Sequence, residues 1–233
     1  MRRYLINSIE NMRDIGGYRT AFGTMPYHQL IRSNLPQKLS WDDLSLLKKM
    51  NITTVIDLRS EEECRKKISS FEENKDFALF HCPFTTGRDI PATPQDVPLS
   101  YLQILEDKPN ILNILNIISN APGGVLYFCN AGKDRTGVIT ALLMLFLGVN
   151  YEDIVADYLL TKEYLADILA QFIAISERDV SKIIIPHAEF MEKFIDGFIS
   201  KYKNVSYYME TLGFSDKMQM KLKSKFEFAN RDV

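Results

Sequence analysis

The sequence predicts an α/β fold: a central, largely parallel sheet of four to five strands flanked by helices, followed by a helical C-terminal half. Three observations predict it. Short β-branched or apolar runs alternate with helix-type patterns through the first 150 residues, the alternation that builds parallel sheets. One run, Val125 to Cys129 (VLYFC), is wholly apolar, as suits a central strand covered on both faces. Beyond Asn150 the pattern is helical almost throughout.

The elements follow in order. His28 to Arg32 and Thr53 to Leu58 (TTVIDL) read as strands. Between them, Ser40 to Met50 (SWDDLSLLKKM) opens on a good N-cap, carries acids early and lysines late, and repeats apolar residues at helical spacing. Phe77 to Cys82 (FALFHC) is a third strand and Val125 to Cys129 a fourth. Gly87 to Pro98 holds Pro91, Pro94 and Pro98 and reads as a loop. The apolar run Val138 to Val149 is too short to span a bilayer and reads as a buried helix. Tyr151–Ser176, Pro186–Lys203 and Ser215–Phe228 are three further helices. Residues 1–233 are expected to form a single domain.

A chain of 233 residues with 46% apolar and 25% charged residues has the composition of a globular protein. Its formal net charge of -2 argues against nucleic acid as a partner, which needs a basic surface. Any anion it handles must be held by a local site. Three cysteines, Cys64, Cys82 and Cys129, give neither a disulfide framework nor a zinc pattern. A reducing, cytoplasmic setting is the expectation, with export left open. Met1 to Glu10 carries no sustained apolar run and does not read as a signal peptide. Stable membrane insertion is not expected, and the oligomeric state is left open.

The chemistry concentrates in Val125 to Gly137, V-L-Y-F-C-N-A-G-K-D-R-T-G. A buried strand delivers Cys129, five residues follow, then Arg135, and a helix opens at Thr136–Gly137. A loop of this length curls so that its N–H groups converge on one anion, and the helix N-terminus adds donors and partial positive charge. Asn130, Ala131, Gly132 and Lys133 supply the backbone of such a phosphate cradle. Gly132 permits angles that a side chain obstructs. Arg135 offers a planar fork for two phosphate oxygens. The same field favours a thiolate at Cys129, the form competent as a nucleophile. Thr136 can donate to the sulfur, and Lys133 puts a cation at the rim for substrates with more than one phosphate. Asp134 is the candidate general acid. Asp57, ending a strand, is the rival acid, and an N-cap or an ion pair with Arg59 is its alternative reading.

The string Cys129–Gly137 resembles the phosphate loop of the atypical, lipid-active bacterial protein tyrosine phosphatases, which are cysteine-dependent Cys-x5-Arg enzymes. Asn11–Tyr18 (NMRDIGGY), Ile31–Ser33 (IRS) and Val55–Ser60 (VIDLRS) look like three further motifs of that family. Asp157–Leu160 and Tyr207–Met209 with Leu212–Gly213 fit its helical C-terminal half. The resemblance implies a tyrosine phosphatase fold and a phosphocysteine mechanism without metal or cofactor. It assigns Cys129 as nucleophile, Arg135 as phosphate binder and Asp134 as acid. It implies phosphotyrosine, phosphoserine/threonine or phosphoinositide substrates, that is, a phosphorylated protein or a phosphoinositide as partner. It also implies a helical lid, expected over Leu159 to Ile185. The family's usual histidine before the nucleophile is replaced here by Phe128. Two rival readings of the same loop are a phosphate-binding module with little turnover and a sulfur-transfer protein.

Other residues carry a structural and a functional reading. Asp14 with Gly16–Gly17 reads as a tight turn or as a device that shapes the site. Asp89 reads as a solvated loop residue or a mobile acid. Cys82 reads as a buried thiol or a disulfide partner of Cys129. Tyr164–Ile175 reads as core or as the wall of a lipid or aromatic pocket. Lys217, Lys221, Lys223 and Lys225 read as a solvated face or a membrane-surface stripe.

Overall fold

The computed structural model of the chain describes residues 2–6 and 9–227. It begins with β1 (Arg13–Asp14), the ribbon of β2 (Arg19–Thr20) and β3 (Gly23–Thr24), and β4 (Leu30–Ser33). Helices and strands then alternate: α1 (Trp41–Lys49), β5 (Ile52–Asp57), α2 (Glu61–Lys66), β6 (Ala78–His81), α3 (Asp96–Ile104), α4 (Lys108–Asn120), β7 (Gly124–Phe128) and α5 (Asp134–Phe146). The remainder is helical: α6 (Tyr151–Tyr164), α7 (Ala166–Ile175), α8 (Ser181–Ile184), α9 (Ala188–Tyr202), α10 (Val205–Thr211) and α11 (Asp216–Ser224).

The main sheet has five strands in the order β1-β4-β7-β5-β6. The last four are mutually parallel, and β1 runs antiparallel to β4 at the edge. This is the α/β architecture that the alternating pattern predicts. The strand that comes last in sequence lies in the middle. Ser33, Phe128 and Asp57 stand in register at the ends of β4, β7 and β5. The loops that leave these three ends therefore meet at one edge, where open α/β sheets place their sites.

Alternation along β7 divides its side chains between two cores. Val125 and Tyr127 pack with Val138, Ile139 and Leu142 of α5 in the larger core. Leu126 and Phe128 pack with Met12, Ile31 and Val55 in the smaller one. Each buried Val, Leu or Phe contributes ~1.5–3 kcal/mol. Because successive side chains alternate faces, Cys129 falls on the side of α5. It belongs to the larger core.

α5 is buried nearly all round, as its unbroken apolar run requires. It ends in a left-handed turn at Gly148 (φ 74°). There Gly148 N–H donates to Leu145 C=O and Val149 N–H to Met144 C=O, the paired closing bonds of a glycine-capped helix end. α1 starts as expected, with Ser40 and Asp43 capping each other's backbone.

Three expectations need correction. Pro98 lies inside the first turn of α3, where its missing N–H costs no helical bond. Tyr151–Ser176 is two helices broken at Leu165: α6 buries Ile154, Val155, Asp157, Tyr158 and Thr161, whereas α7 buries no residue. The final helix ends at Ser224, with Lys225 and Phe226 in a turn, and the expected end at Phe228 lies outside the described residues. Among the described residues no helix is long and apolar enough to cross a membrane.

Candidate active site

The loop after β7 is held from outside by its carbonyl oxygens. Phe128 C=O accepts from Leu58 N–H at 2.9 Å, and Asn130 C=O from Leu35 N–H at 3.0 Å. Ala131 C=O accepts from Asn11 Nδ2 at 2.9 Å, and Gly132 C=O from Arg32 Nη2 at 2.8 Å. Lys133 C=O accepts from Gly137 N–H at 2.9 Å. In a trans peptide the N–H of the next residue points opposite to the C=O. Turning these carbonyls out therefore turns the following amides in. Among the described residues, no protein oxygen accepts from the amides of Asn130 through Thr136. Consecutive donors left in this way suit an anion, and a phosphate group is a fitting one.

Gly132 makes the bend possible. Its φ is 65°, and a Cβ there would lie 2.2 Å from Ser33 C=O oxygen and 2.7 Å from Asn34 N. Three polar atoms around the bend are also buried without a partner: Arg135 Nε, Thr136 Oγ1 and Ser33 Oγ. Thr136 thus keeps its hydroxyl available, although it makes no bond to Cys129 here. Cys129 itself is a buried free thiol.

Arg135 is aimed by Glu63, which the sequence reading did not single out. Glu63 Oε2 accepts from Arg135 Nη1 at 2.6 Å and Oε1 from Nη2 at 2.8 Å. Oε1 also accepts from Asn130 Nδ2 at 2.5 Å and Oε2 from Ser60 N–H at 2.8 Å. Burial pushes the Glu63 carboxyl up, but the bonds and charge of Arg135 outweigh it and bring its pKa down to about 2. Arg135 is held above its ordinary value, since the Glu63 bond overcomes the opposing effect of burial. The Ser60-x-x-Glu63 spacing is a capping-box signature and was the available signal.

A second layer supports the carbonyl grip. Arg32, which holds Gly132, pairs with Asp157 of α6 at 2.6 Å. Arg13 Nε lies 3.1 Å from Asp157 Oδ1, and Arg13 Nη1 donates to Asn11 Oδ1, fixing the side chain that grips Ala131. All three charged groups are buried. Burial raises the Asp157 carboxyl, and the two guanidinium charges bring it below its ordinary range. Sequence reading placed Arg13, Arg32 and Asp157 in motifs without giving them roles.

Asp134 stands at the mouth. Its Oδ1 accepts from Tyr101 Oη at 2.6 Å and lies 3.4 Å from Lys133 Nζ. Lys133 is not free at the rim as expected. It is buried, and its Nζ donates to Ile184 C=O at 2.9 Å and Ile183 C=O at 3.4 Å at the end of α8. A cleft of ≈ 350 Å³ opens over Asn130, Ala131, Lys133 and Asp134, with Leu165, Ile168, Leu169 and Phe172 as its apolar wall. Ile168, Leu169 and Phe172 of the Tyr164–Ile175 stripe are therefore pocket wall, while Leu165 is also buried.

A sequence model of the tyrosine phosphatase family matches residues 4–227. The chain belongs to the tyrosine phosphatase family. A Cupriavidus necator protein provisionally named a tyrosine-protein phosphatase is 32% identical over 167 residues, 66% of this chain and 60% of that protein. A tyrosine-protein phosphatase of Nostoc commune is 28% identical over 149 residues, 60% of this chain and 51% of that one. The chain thus spans little more than half the length of these relatives. Among solved structures, TpbA of P. aeruginosa is similar at a TM-score of 0.47, with 15% identity over 91% of this chain and 96% of that one. The Siw14 core of S. cerevisiae gives 0.42, with 17% identity over 85% and 96%.

In this chain the other candidate residues have structural tasks. Asp57 is wholly buried and both its oxygens accept from Arg59, with Arg59 N–H donating to Oδ1 as well. This is the ion-pair reading, and it leaves no oxygen for the rival acid role. Asp57, Cys64 and His81 have ligand-type atoms within 4.8 Å of one another. Cys64 donates to Asp57, and His81 pairs with Glu72 outside the cluster, so each member already has a protein partner. Asp89 is exposed beside Arg88, the solvated reading. Asp14 takes Gly16 and His28 N–H groups and the Tyr4 hydroxyl, closing a turn at Gly17 (φ 83°). Cys82 is a free buried thiol that accepts from Asn113 Nδ2. The lysine stripe is divided: Lys225 donates to Ala121 and Gly123 carbonyls, Lys221 to Asn120, and Lys223 lies over Phe22 and Phe146. Phe128 fills the smaller core beneath Arg59, whose guanidinium carbon lies 5.5 Å from its ring centre.

Proposed function

We propose that this chain hydrolyses phosphomonoesters through a phosphocysteine intermediate on Cys129. One observation carries the reading: the backbone between Cys129 and Arg135 turns its carbonyls outward onto Asn11, Arg32 and Leu35, leaving consecutive amides for an anion. The amides of Asn130, Ala131, Gly132 and Lys133 bind the phosphoryl oxygens, joined by Arg135 through Nε and an Nη proton that Glu63 leaves free. Cys129 attacks phosphorus. A P–S bond forms, the P–O bond to the leaving group breaks, and Asp134 gives its proton to the leaving oxygen. Water then attacks phosphorus and returns a proton to Asp134. The P–S bond breaks, inorganic phosphate leaves, and the Thr136 hydroxyl stabilises the departing thiolate. Fixed dipoles of this kind supply much of such catalysis because they need no reorganisation. No step calls for a metal or cofactor.

In this reading the substrates are phosphotyrosine, phosphoserine/threonine or phosphoinositides. The floor of the cleft carries the cradle and its wall is apolar, suiting an aromatic or acyl group above a phosphate. Residues 159–185 act as the helical lid: α7 forms that wall, and α8 is tied to the loop through Lys133.

Phosphate release from p-nitrophenyl phosphate, a phosphotyrosine peptide and a phosphoinositide is measured for wild type, Cys129→Ser and Arg135→Ala. Turnover is expected to vanish in both variants, with Cys129→Ser still binding phosphate. Undiminished turnover in both refutes the mechanism. Phosphate binding by a wild type without turnover makes the chain a binding module.

A further inference from the structure

We propose that Tyr101, backed by Tyr158, is a positioning residue that fixes the carboxyl of Asp134 and selects which oxygen carries the transferable proton. The inference rests on the phosphatase reading above and adds a residue to it.

Tyr101 lies on α3, Tyr158 on α6 and Asp134 on the loop–helix junction, far apart in sequence. Tyr101 Oη is 2.6 Å from Asp134 Oδ1 and 2.8 Å from Tyr158 Oη. The direction of this chain follows from proton counting. An ionised carboxylate only accepts, and a phenol has one proton to give. Tyr101 therefore spends its proton on Asp134, and Tyr158 donates to Tyr101. A hydroxyl that accepts one bond donates its own more strongly. Burial, and after it the charge of Asp134, raises the Tyr101 phenol well above its ordinary value, so it remains a donor throughout the working pH range.

The donor group is rigid. Tyr101 is fully buried, its ring set edge-on against Tyr158 at 6.2 Å and Phe194 at 6.0 Å. Lys133 Nζ approaches the same oxygen at 3.4 Å. The phenol donor and the nearby ammonium both draw negative charge onto Oδ1 and leave Oδ2 to carry the proton when the carboxyl is neutral. Oδ2 makes no bond in the structure among the described residues, and it is the oxygen left for the leaving group. Without the phenol, the carboxylate is free to rotate toward the Lys133 ammonium and away from its task.

A merely structural tyrosine would contribute to stability and slow every substrate alike. A positioning tyrosine acts through the acid and matters most where the leaving group needs a proton. Kinetics are therefore compared on phenyl phosphate, whose phenolate leaves poorly, and p-nitrophenyl phosphate, whose anion leaves readily. Tyr101→Phe keeps the ring packing. We expect it to lower kcat on phenyl phosphate by roughly tenfold or more, part of the ~10²–10⁴ that a placed acid supplies, with KM little changed and p-nitrophenyl phosphate much less affected. Tyr158→Phe should shift both substrates the same way by less. In the Asp134→Asn background, Tyr101→Phe should add nothing, the mark of residues acting as one unit. Equal losses on both substrates, or additive losses in the double variant, overturn the proposal. A crystal structure of Tyr101→Phe gives a readout independent of turnover: the Asp134 carboxyl should leave its wild-type position, and an unmoved carboxyl also overturns the proposal. An inactive wild type would refute the phosphatase reading, while the carboxyl's position still decides this one.

Discussion

Replacing Glu63 by glutamine should damage the site while leaving the fold in place. Glu63 accepts four hydrogen bonds: two from Arg135, one from Asn130 and one from Ser60 N–H. Glutamine keeps the length but turns one acceptor into an NH2 donor, which faces either the guanidinium or Ser60 N–H. The charge-assisted pair with Arg135 is lost on one side. A hydrogen bond to a charged group is worth ~1.5–3 kcal/mol. At tenfold per ~1.4 kcal/mol, kcat/KM should fall about 10- to 100-fold. The effect on stability can be bounded separately. Lowering a carboxyl from 4.5 to about 2 corresponds to about 3.4 kcal/mol at most. Glu63 remains partly open to solvent, 16% of its side chain, and screening brings the figure to ~1–2 kcal/mol.

The sign of the pH effect is fixed. The folded value lies below the unfolded one, so the stabilisation is fully present above about 4.5 and disappears as pH falls toward about 2. Urea denaturation of wild type and Glu63→Gln at neutral pH and near pH 3 should show the gap between them narrowing in acid. Steady-state kinetics should show the loss in activity at a pH and temperature where both proteins are folded. Glu63→Asp, which keeps the charge on a shorter stem, should recover part of it. A kcat/KM within two- to threefold of wild type, or a loss that tracks unfolding alone, would show that Arg135 aims itself without Glu63.

Asp157→Asn should cost more stability and act further from the chemistry. It strips the carboxylate from buried Arg13 and Arg32, and breaking a buried pair costs ~3–5 kcal/mol, measurable by chemical denaturation. Because Asp157 lies below its ordinary value, its contribution is present above the unfolded carboxyl's pKa and is lost as pH falls through the folded one. The variant should therefore have a flatter acid limb of stability than wild type. Gly132→Ala places a methyl 2.2 Å from the Ser33 carbonyl oxygen at a φ of 65°. The backbone preference alone costs ~1–2 kcal/mol, and the overlap should open the loop. Turnover should drop together with the melting temperature, and a variant with wild-type turnover would mean that the loop does not depend on this bend.

The parts that were legible in the sequence are those written contiguously. Val125 to Gly137 states strand, bend and helix start in one line, and each signal depends on its neighbours: the apolar run, the glycine at a left-handed angle, the helix after Arg135. Strand positions could be read because a run such as TTVID has one way to bury itself between helices. Contacts closed only by the fold could not be read. Asn11 reaches Ala131, Arg32 reaches Gly132 and Glu63 reaches Arg135 across 120, 100 and 72 residues. Periodicity tells which face of an element is buried, but not which polar side chain on that face meets which loop. Glu63 shows the limit. Its spacing from Ser60 announced a helix cap, and the same carboxylate serves the cap and Arg135 at once. Lys133 shows the opposite error. A lysine in a loop reads as a rim cation, but the carbonyls at the end of α8 draw it inward.

In the proposed function, the charges around the loop explain how a chain of formal net charge -2 would hold a dianion. Its buried arginines are nearly all neutralised where they stand: Arg59 by Asp57, Arg135 by Glu63, and Arg13 with Arg32 by the single Asp157. Only about one positive charge of these four arginines is left unmatched, too little to hold a phosphate dianion by net charge alone. The remainder must come from oriented dipoles, the inward amides and the start of α5. That shifts the task of the arginines. Arg32 works as a hydrogen-bond donor that pulls a carbonyl outward, and Asp157 keeps that donor in place without letting its charge reach the site unopposed. A guanidinium left unpaired in the same position would attract anions to the back of the loop as readily as to the front. The paired arrangement confines attraction to the one concave face where the amides converge.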